Sequence, residues 1–361
     1  AVGRFTAAAA APVLLNVMLV AAMIFAAQTG GAVAHALVWA IPFAGIAQLA
    51  LVWIAARKAG LHIRPVRPRW TPDMARLVRV AIPAALAGGV MQVNLLVGQQ
   101  VASNYDKAVS WLYSADRLYQ LPLGVVGIAV GIVLLPDLSR RLKVEDHTGA
   151  RAAYSRAAEI SLILTVPCAV ALVAVPMPLV SVLFERGAFG TDDTAATALA
   201  VAIYGLGLPA FVLQKILQPL FFAREDTKSP FRYAVVAMIV NAVLAIGLAF
   251  VLDWIAAAIA TTVAGWVMVW LLMHGARTYG DVARFDDRFH RRIWRIIAAS
   301  ALMGVIVWGV HVLLSPFFGM PGLRWIALLV LIATGIVSYF GIGHLIGAFR
   351  IQDFRNLRHT G

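Results

Sequence analysis

The sequence predicts an all-α polytopic membrane protein, and three observations carry that prediction. Of 361 residues, 61% are hydrophobic and only 13% charged, giving a mean hydropathy of +0.85. A soluble globule has roughly 45–50% apolar and about 25% charged residues. The apolar residues gather in ten runs of about 20, the length a helix needs to cross the hydrocarbon core. None of the runs shows the period-two alternation of a membrane barrel strand.

The predicted spans, in order, are Ala11–Gln28, Val33–Ala56, Val80–Ala102, Leu121–Leu138, Ile160–Phe184, Ala195–Ala223, Tyr233–Leu252, Trp254–Met273, Ile296–Leu314 and Trp325–Ala348. Ahead of the third, Thr71-Pro72-Asp73 supplies a capping hydroxyl, an N1 proline and a first-turn acid, a good helix start. That helix is expected to begin in the interface, with Arg76 and Arg79 near headgroups. The third span holds Gln92, Asn94, Gln99 and Gln100, too many amides for a lipid-facing helix. Gln92 and Gln99 fall within about 20° of each other after whole turns, so they share a face that either lines a watery cavity or glues helices together. In the fourth, Gly124, Gly127 and Gly131 offer close helix approach. Before the fifth, Gly149–Glu159 with Arg151 and Arg156 is expected to lie along the surface. Pro83, Pro136, Pro167, Pro176, Pro209 and Pro219 mark bends, which membrane helices tolerate where neighbours satisfy the freed carbonyls.

Charge fixes the orientation. The net charge of +13 would point to nucleic acid in a soluble chain. Here the basic residues lie in the loops after spans two, four, six and eight and in the C-terminal tail, while the opposite loops hold only Lys107, Arg186 and Arg324. The positive-inside rule then places both ends on the cytoplasmic side of the membrane. The chain begins Ala1-Val2-Gly3-Arg4-Phe5, with no initiator Met and no signal-peptide n-region, and so reads as one whose N-terminal portion is missing.

The same sequence excludes several functions. One cysteine, Cys168, allows neither an internal disulfide nor a cysteine metal site. The eight histidines form no His-Glu-x-x-His pattern, and no nucleophile elbow, phosphate-cradling loop or catalytic dyad is present. No enzyme, no cofactor and no nucleic-acid partner is expected.

What remains is charge inside the membrane. Lys215 lies within the Ala195–Ala223 run and Arg117, beside Asp116, just before another. An ionised side chain at bilayer depth costs a few kcal/mol even on insertion scales, so it faces a polar interior or lies near a helix end. Arg224 follows Lys215 by nine residues, about 13 Å of helix, so the lysine stem either snorkels towards headgroups or contacts an anion. Asp116 could neutralise Arg117 at the interface. Arg117 can take a phosphate with paired donors, whereas Lys215 acts as a point charge.

Three segments carry a resemblance. The first is Tyr113-Ser114-Ala115-Asp116-Arg117-Leu118, running into Leu121-Pro122-Leu123-Gly124 and closing on Leu134-Leu135-Pro136-Asp137-Leu138-Ser139. The others are Leu183-Phe184-Glu185-Arg186-Gly187-Ala188-Phe189 and Gln218-Pro219-Leu220-Phe221-Phe222-Ala223-Arg224-Glu225-Asp226-Thr227-Lys228-Ser229-Pro230. In order and along the whole chain, they resemble the MviN/MurJ family of lipid II flippases. The resemblance implies fourteen helices, two six-helix lobes in an inverted V plus two trailing helices, of which this chain would hold the fifth to fourteenth. Residues 1–56 would close the first lobe, 57–79 form a basic cytoplasmic linker, 80–275 the second lobe, and 276–361 the trailing pair with a groove for a lipid tail.

The resemblance implies a cavity-facing role for Arg117, with Asp116 orienting it and Lys215 matching a lysine found in relatives. Gln92 and Gln99 are further candidate cavity residues. So is Gln120, which stands where many members have glutamate. Asn241 and Thr261 match two ligands of the sodium site in some relatives. Gly98 and Ala245 stand where its acidic ligands align, and with that charge gone the reading is against a sodium site. The implied cargo is lipid II, an undecaprenyl-pyrophosphate-linked disaccharide peptide, with membrane lipids and cell-wall synthesis enzymes as further partners. Two rival readings are an exporter of drugs or of another polyprenyl-linked oligosaccharide, and a non-transporting scaffold for cell-wall enzymes.

Overall fold

A computed structural model describes residues 6–58, 70, 71, 74, 75, 96–129, 134–320 and 322–348. The chain divides into two compact units, Ala1–Arg79 and Val80–Gly361. In the first, helices α1 (Thr6–Thr29) and α2 (Val33–Lys58) form a hairpin. Gly30 turns the chain at φ +68°, a conformation without penalty only where no Cβ exists. The contact is built on small residues, with Ala26, Ala40 and Ala44 buried, as expected where hydrocarbon supplies no hydrophobic drive and close van der Waals contact must. Gln48 donates from Nε2 to the Ala11 carbonyl at 2.7 Å, so its amide finds a partner within the apolar pair.

The second unit is a helical bundle: a stretch at 96–102, then α3 (Ala108–Ala129), α4 (Leu135–Lys143), α5 (His147–Ala174), α6 (Pro176–Phe184), α7 (Thr191–Phe222), α8 (Lys228–Leu252), α9 (Ala256–Ala276), α10 (Asp287–Phe318) and α11 (Leu323–Leu345). Helix α7 is the central post, packed against α3, α5 and α9, while α8 packs on α9 and the α10–α11 pair on α5. Its 32 residues include Pro209 and Pro219 without a break. Its start is fixed by Asp193, which accepts the Gly190 amide at 3.0 Å and, with Asp192, puts negative charge at the positive end of the helix dipole.

Among the described residues, seven helical stretches are long and apolar enough to cross a membrane, one of them covering both α8 and α9. These two meet at Asp253, φ +51°, and a 3₁₀ turn over Asp253–Ile255. The expected count of ten spans is therefore not reproduced, and the reasons are local. The expected run Val80–Ala102 lies outside the described residues except for 96–102, so Gln92 and Asn94 cannot be placed. The expected Leu121–Leu138 span starts thirteen residues earlier, as α3, and its later part is described as α4, with Pro136 in its first turn; residues 130–133 between them lie outside the described residues. Ile160–Phe184 likewise is two helices, broken at Val175 (φ −136°, ψ 51°) where Pro176 opens α6 with no N–H to continue the ladder. Pro167, inside α5, causes no such break.

Gly149–Glu159 does not lie along the surface: it is the first third of α5, with Ala150, Tyr154, Ser155, Ala158 and Glu159 buried. Asp146 caps it, accepting the Gly149 amide at 2.8 Å. A Cβ on Gly149 would stand 2.0 Å from that carboxylate, so a larger residue would have to displace the cap. Gly124 faces open space among the described residues rather than a close helix neighbour. The expected helix start at Thr71 agrees with what is described, Met74 donating its amide to the Thr71 hydroxyl at 3.2 Å; Arg76 and Arg79 lie outside.

Candidate functional site

Helix α3 is set in place at its first turn. Lys107, at φ +60°, reaches Asp193 at 3.2 Å, and the Trp111 indole donates to the same carboxylate at 2.9 Å. Trp111 also meets Trp254 edge-on at 5.0 Å. The amino ends of α3 and α7 are thereby tied together.

Further along α3, residues four apart share a face. Arg117 is exposed and lies with its guanidinium 4.5 Å from the Tyr113 ring centre, its Nη2 donating to the Tyr113 hydroxyl. Asp116 points elsewhere. Its carboxylate accepts from Gln120 Nε2. The Tyr119 ring packs against α7, 5.1 Å from Tyr204 and 5.3 Å from Phe211. Phe211 occupies a slot cut by glycine: a Cβ on Gly265 would stand 2.7 Å from its ring. The expected pairing of Asp116 with Arg117 is thus not formed, because helical phase turns the acid towards α7 and the arginine away from it.

Lys215 lies one turn beyond Phe211 on α7 and is exposed. Among the described residues it makes no hydrogen bond or ion pair, with Arg117 or any other group. Its neighbour Gln214 is consumed internally, donating to the Gly265 carbonyl at 3.0 Å. The structure thus places Arg117 and Lys215 on two helices packed against each other, both exposed and neither in an ion pair among the described residues. Gln120 and Gln99 are exposed as well.

The sodium candidates lie on α8 and α9. Thr261 donates to the Ala257 carbonyl at 2.8 Å, within its own helix. Asn241 is buried on α8. Between helix 96–102 and the α8–α9 pair lies an apolar cluster of Val101, Ala245 and Ala260, with Val97 against it.

Two apolar grooves lie elsewhere in the unit. One, about 620 Å³, runs between α5, α7 and α10, from Val166 and Pro209 to Trp308. The other, about 360 Å³, is bounded by Ile163 and Pro167 of α5, Met303 and Val307 of α10, and Leu331 and Ile336 of α11. Neither contains Arg117 or Lys215.

Tyr113 and Tyr119 were not singled out from sequence, although their i, i+4 and i, i+3 spacing to Arg117 and Asp116 was the available signal. Also missed was Glu159, buried on α5 and held by Arg292 and by Arg288, whose Nε lies 3.3 Å away. Arg151 adds to this join of α5 and α10, donating to the Arg284 and Phe285 carbonyls at 3.1 and 3.0 Å.

Helices of bilayer length, carrying cations on outward faces, define the class: a polytopic α-helical membrane protein. Comparison with known proteins narrows it. The family model "Lipid II flippase MurJ" matches residues 1–328, and the chain belongs to that family. It is 43% identical to a "Probable lipid II flippase MurJ" of Rhizobium tropici, over 98% of this chain and 67% of that protein. The same identity and coverage hold for a protein of that name from Rhizobium meliloti (strain 1021). A solved structure, "Lipid II flippase MurJ, inward closed conformation", superposes with a TM-score of 0.73 at 23% identity, covering 93% of this chain and 66% of that one. The fold is that of the family, and the chain spans about two thirds of the length of these relatives.

Proposed function

We propose that this protein moves lipid II from the cytoplasmic to the periplasmic leaflet of the bacterial inner membrane by alternating access. Beyond family membership, the observation that supports this reading is Arg117, an exposed guanidinium on α3 that forms no ion pair among the described residues. A disaccharide-peptide headgroup cannot cross hydrocarbon unaided, because its polar groups would be buried without partners. Arg117 would take the pyrophosphate through paired N–H donors, and Lys215 would add a second positive charge. Gln99, and Gln92 from the same run, would solvate the headgroup. Undecaprenyl would remain in hydrocarbon, against the apolar groove between α5, α10 and α11.

The basic loops face the cytoplasm in this scheme. Membrane potential is the drive we favour, worth ~2.3 kcal/mol per charge per 100 mV. Enzymes that make and consume lipid II are the expected protein partners.

The test is complementation in cells depleted of their own flippase. Arg117→Ala should fail to support growth at normal abundance in the membrane. Full growth with that variant would remove the proposed role. Headgroup competition in a reconstituted flipping assay separates lipid II from drugs and other polyprenyl-linked sugars.

A further inference from the structure

We propose that Tyr113 is the positioning residue of Arg117, and that Gln120 holds Asp116 away so that the guanidinium stays open to an anionic lipid headgroup. This rests on the reading of Arg117 as the phosphate contact and adds how that contact is kept available. An arginine meant for phosphate has a competitor one residue away. A carboxylate binds guanidinium through the same paired donors that phosphate uses, so an Asp116–Arg117 pair would block the ligand.

Helix geometry begins the separation. At about 100° per residue, Tyr113 and Arg117 lie about 40° apart on α3, but Asp116 and Arg117 about 100° apart. Contacts complete it. Asp116 accepts from Gln120, and the neighbouring Tyr119 is wedged against Tyr204 and Phe211. Tyr113 holds Arg117 by other means: its ring lies 4.5 Å from the guanidinium carbon, and its hydroxyl accepts one N–H. A neutral ring attracts the cation without cancelling its charge, and most of the five guanidinium donors remain for a ligand.

The experiment measures lipid II affinity of the intact protein in lipid nanodiscs, with thermal melting recorded for every variant. Tyr113→Leu should weaken binding about fivefold, the loss of a cation–π contact and one hydrogen bond. The same substitution should add nothing in an Arg117→Ala background, since its effect passes through Arg117. Tyr113→Phe, which keeps the ring, should fall between wild type and Tyr113→Leu. Gln120→Leu should also weaken binding, and Asp116→Asn should restore it in that background. If Tyr113→Leu binds like wild type, or its loss persists without Arg117, the positioning role is overturned. If Asp116→Asn does not restore binding to Gln120→Leu, the separation of the acid is overturned. Unchanged affinity in Arg117→Ala alone would instead refute the phosphate reading on which both stand.

Discussion

Two sets of arginines in this protein are held in opposite ways. Arg292 and Arg288 converge on Glu159, whose side chain is 5% exposed, and their side chains are 16% and 40% exposed. Arg117 lies exposed against a tyrosine, with the nearest acid bonded to other groups. A buried carboxylate left without its cations is costly, so the first arrangement fastens α10 to α5. An uncancelled surface cation does little for the fold and remains available for an anion. The contrast teaches that the partner, not the residue type, separates a structural arginine from a ligand-binding one.

That contrast can be broken or sharpened by substitution, from large effects to small. Arg117→Ala should abolish lipid II transport in the complementation assay while leaving the melting temperature unchanged. Arg292→Leu or Arg292→Ala should do the reverse, lowering stability by about 3 kcal/mol as an uncompensated charge is left on Glu159. Melting and membrane abundance would report it, and the loss should be smaller for Arg288, the more exposed partner. Gly265→Ala should cost about 1–3 kcal/mol by driving a methyl into Phe211, and should weaken lipid II binding as Tyr119 shifts. Lys215→Gln should reduce lipid II affinity by about fivefold with melting unchanged, as expected for an exposed point charge.

The smallest effect concerns the turn after α7. Hydrogen bonds from the Ser229 side chain and amide, with the Tyr279 hydroxyl at 2.9 Å, hold the Asp226 carboxyl below the usual carboxylate range. A depressed carboxylate contributes stability above its unfolded pKa and loses it as pH falls through the folded value. Melting should therefore show a small Asp226-dependent loss only below about pH 4, absent in Asp226→Asn. Equal acid sensitivity in that variant would contradict the assignment.

Much of the fold was legible because the bilayer demands long apolar runs, and α7 to α9 fall close to where those runs lie. Boundaries failed where a helix carries polar residues. Helix α3 starts at Ala108 rather than Leu121 because backbone hydrogen bonding is indifferent to Asp116, Arg117 and Gln120, which an apolar window rejects. The same holds for α10, which begins at Asp287 and runs through four arginines before its apolar part. Within the site, the charges of Arg117 and Lys215 could be read directly. The loss of the Asp116–Arg117 pair could not, because it depends on how α3 is rotated against Tyr204 and Phe211.

The most direct measurement is lipid II affinity and melting temperature, determined together for Arg117→Gln and Arg292→Gln in the intact protein. We predict that Arg117→Gln binds about tenfold more weakly or worse with melting unchanged, and that Arg292→Gln melts lower but, while folded, binds like wild type. Wild-type affinity in Arg117→Gln, or a loss of affinity matched by a loss of melting temperature, would contradict the account.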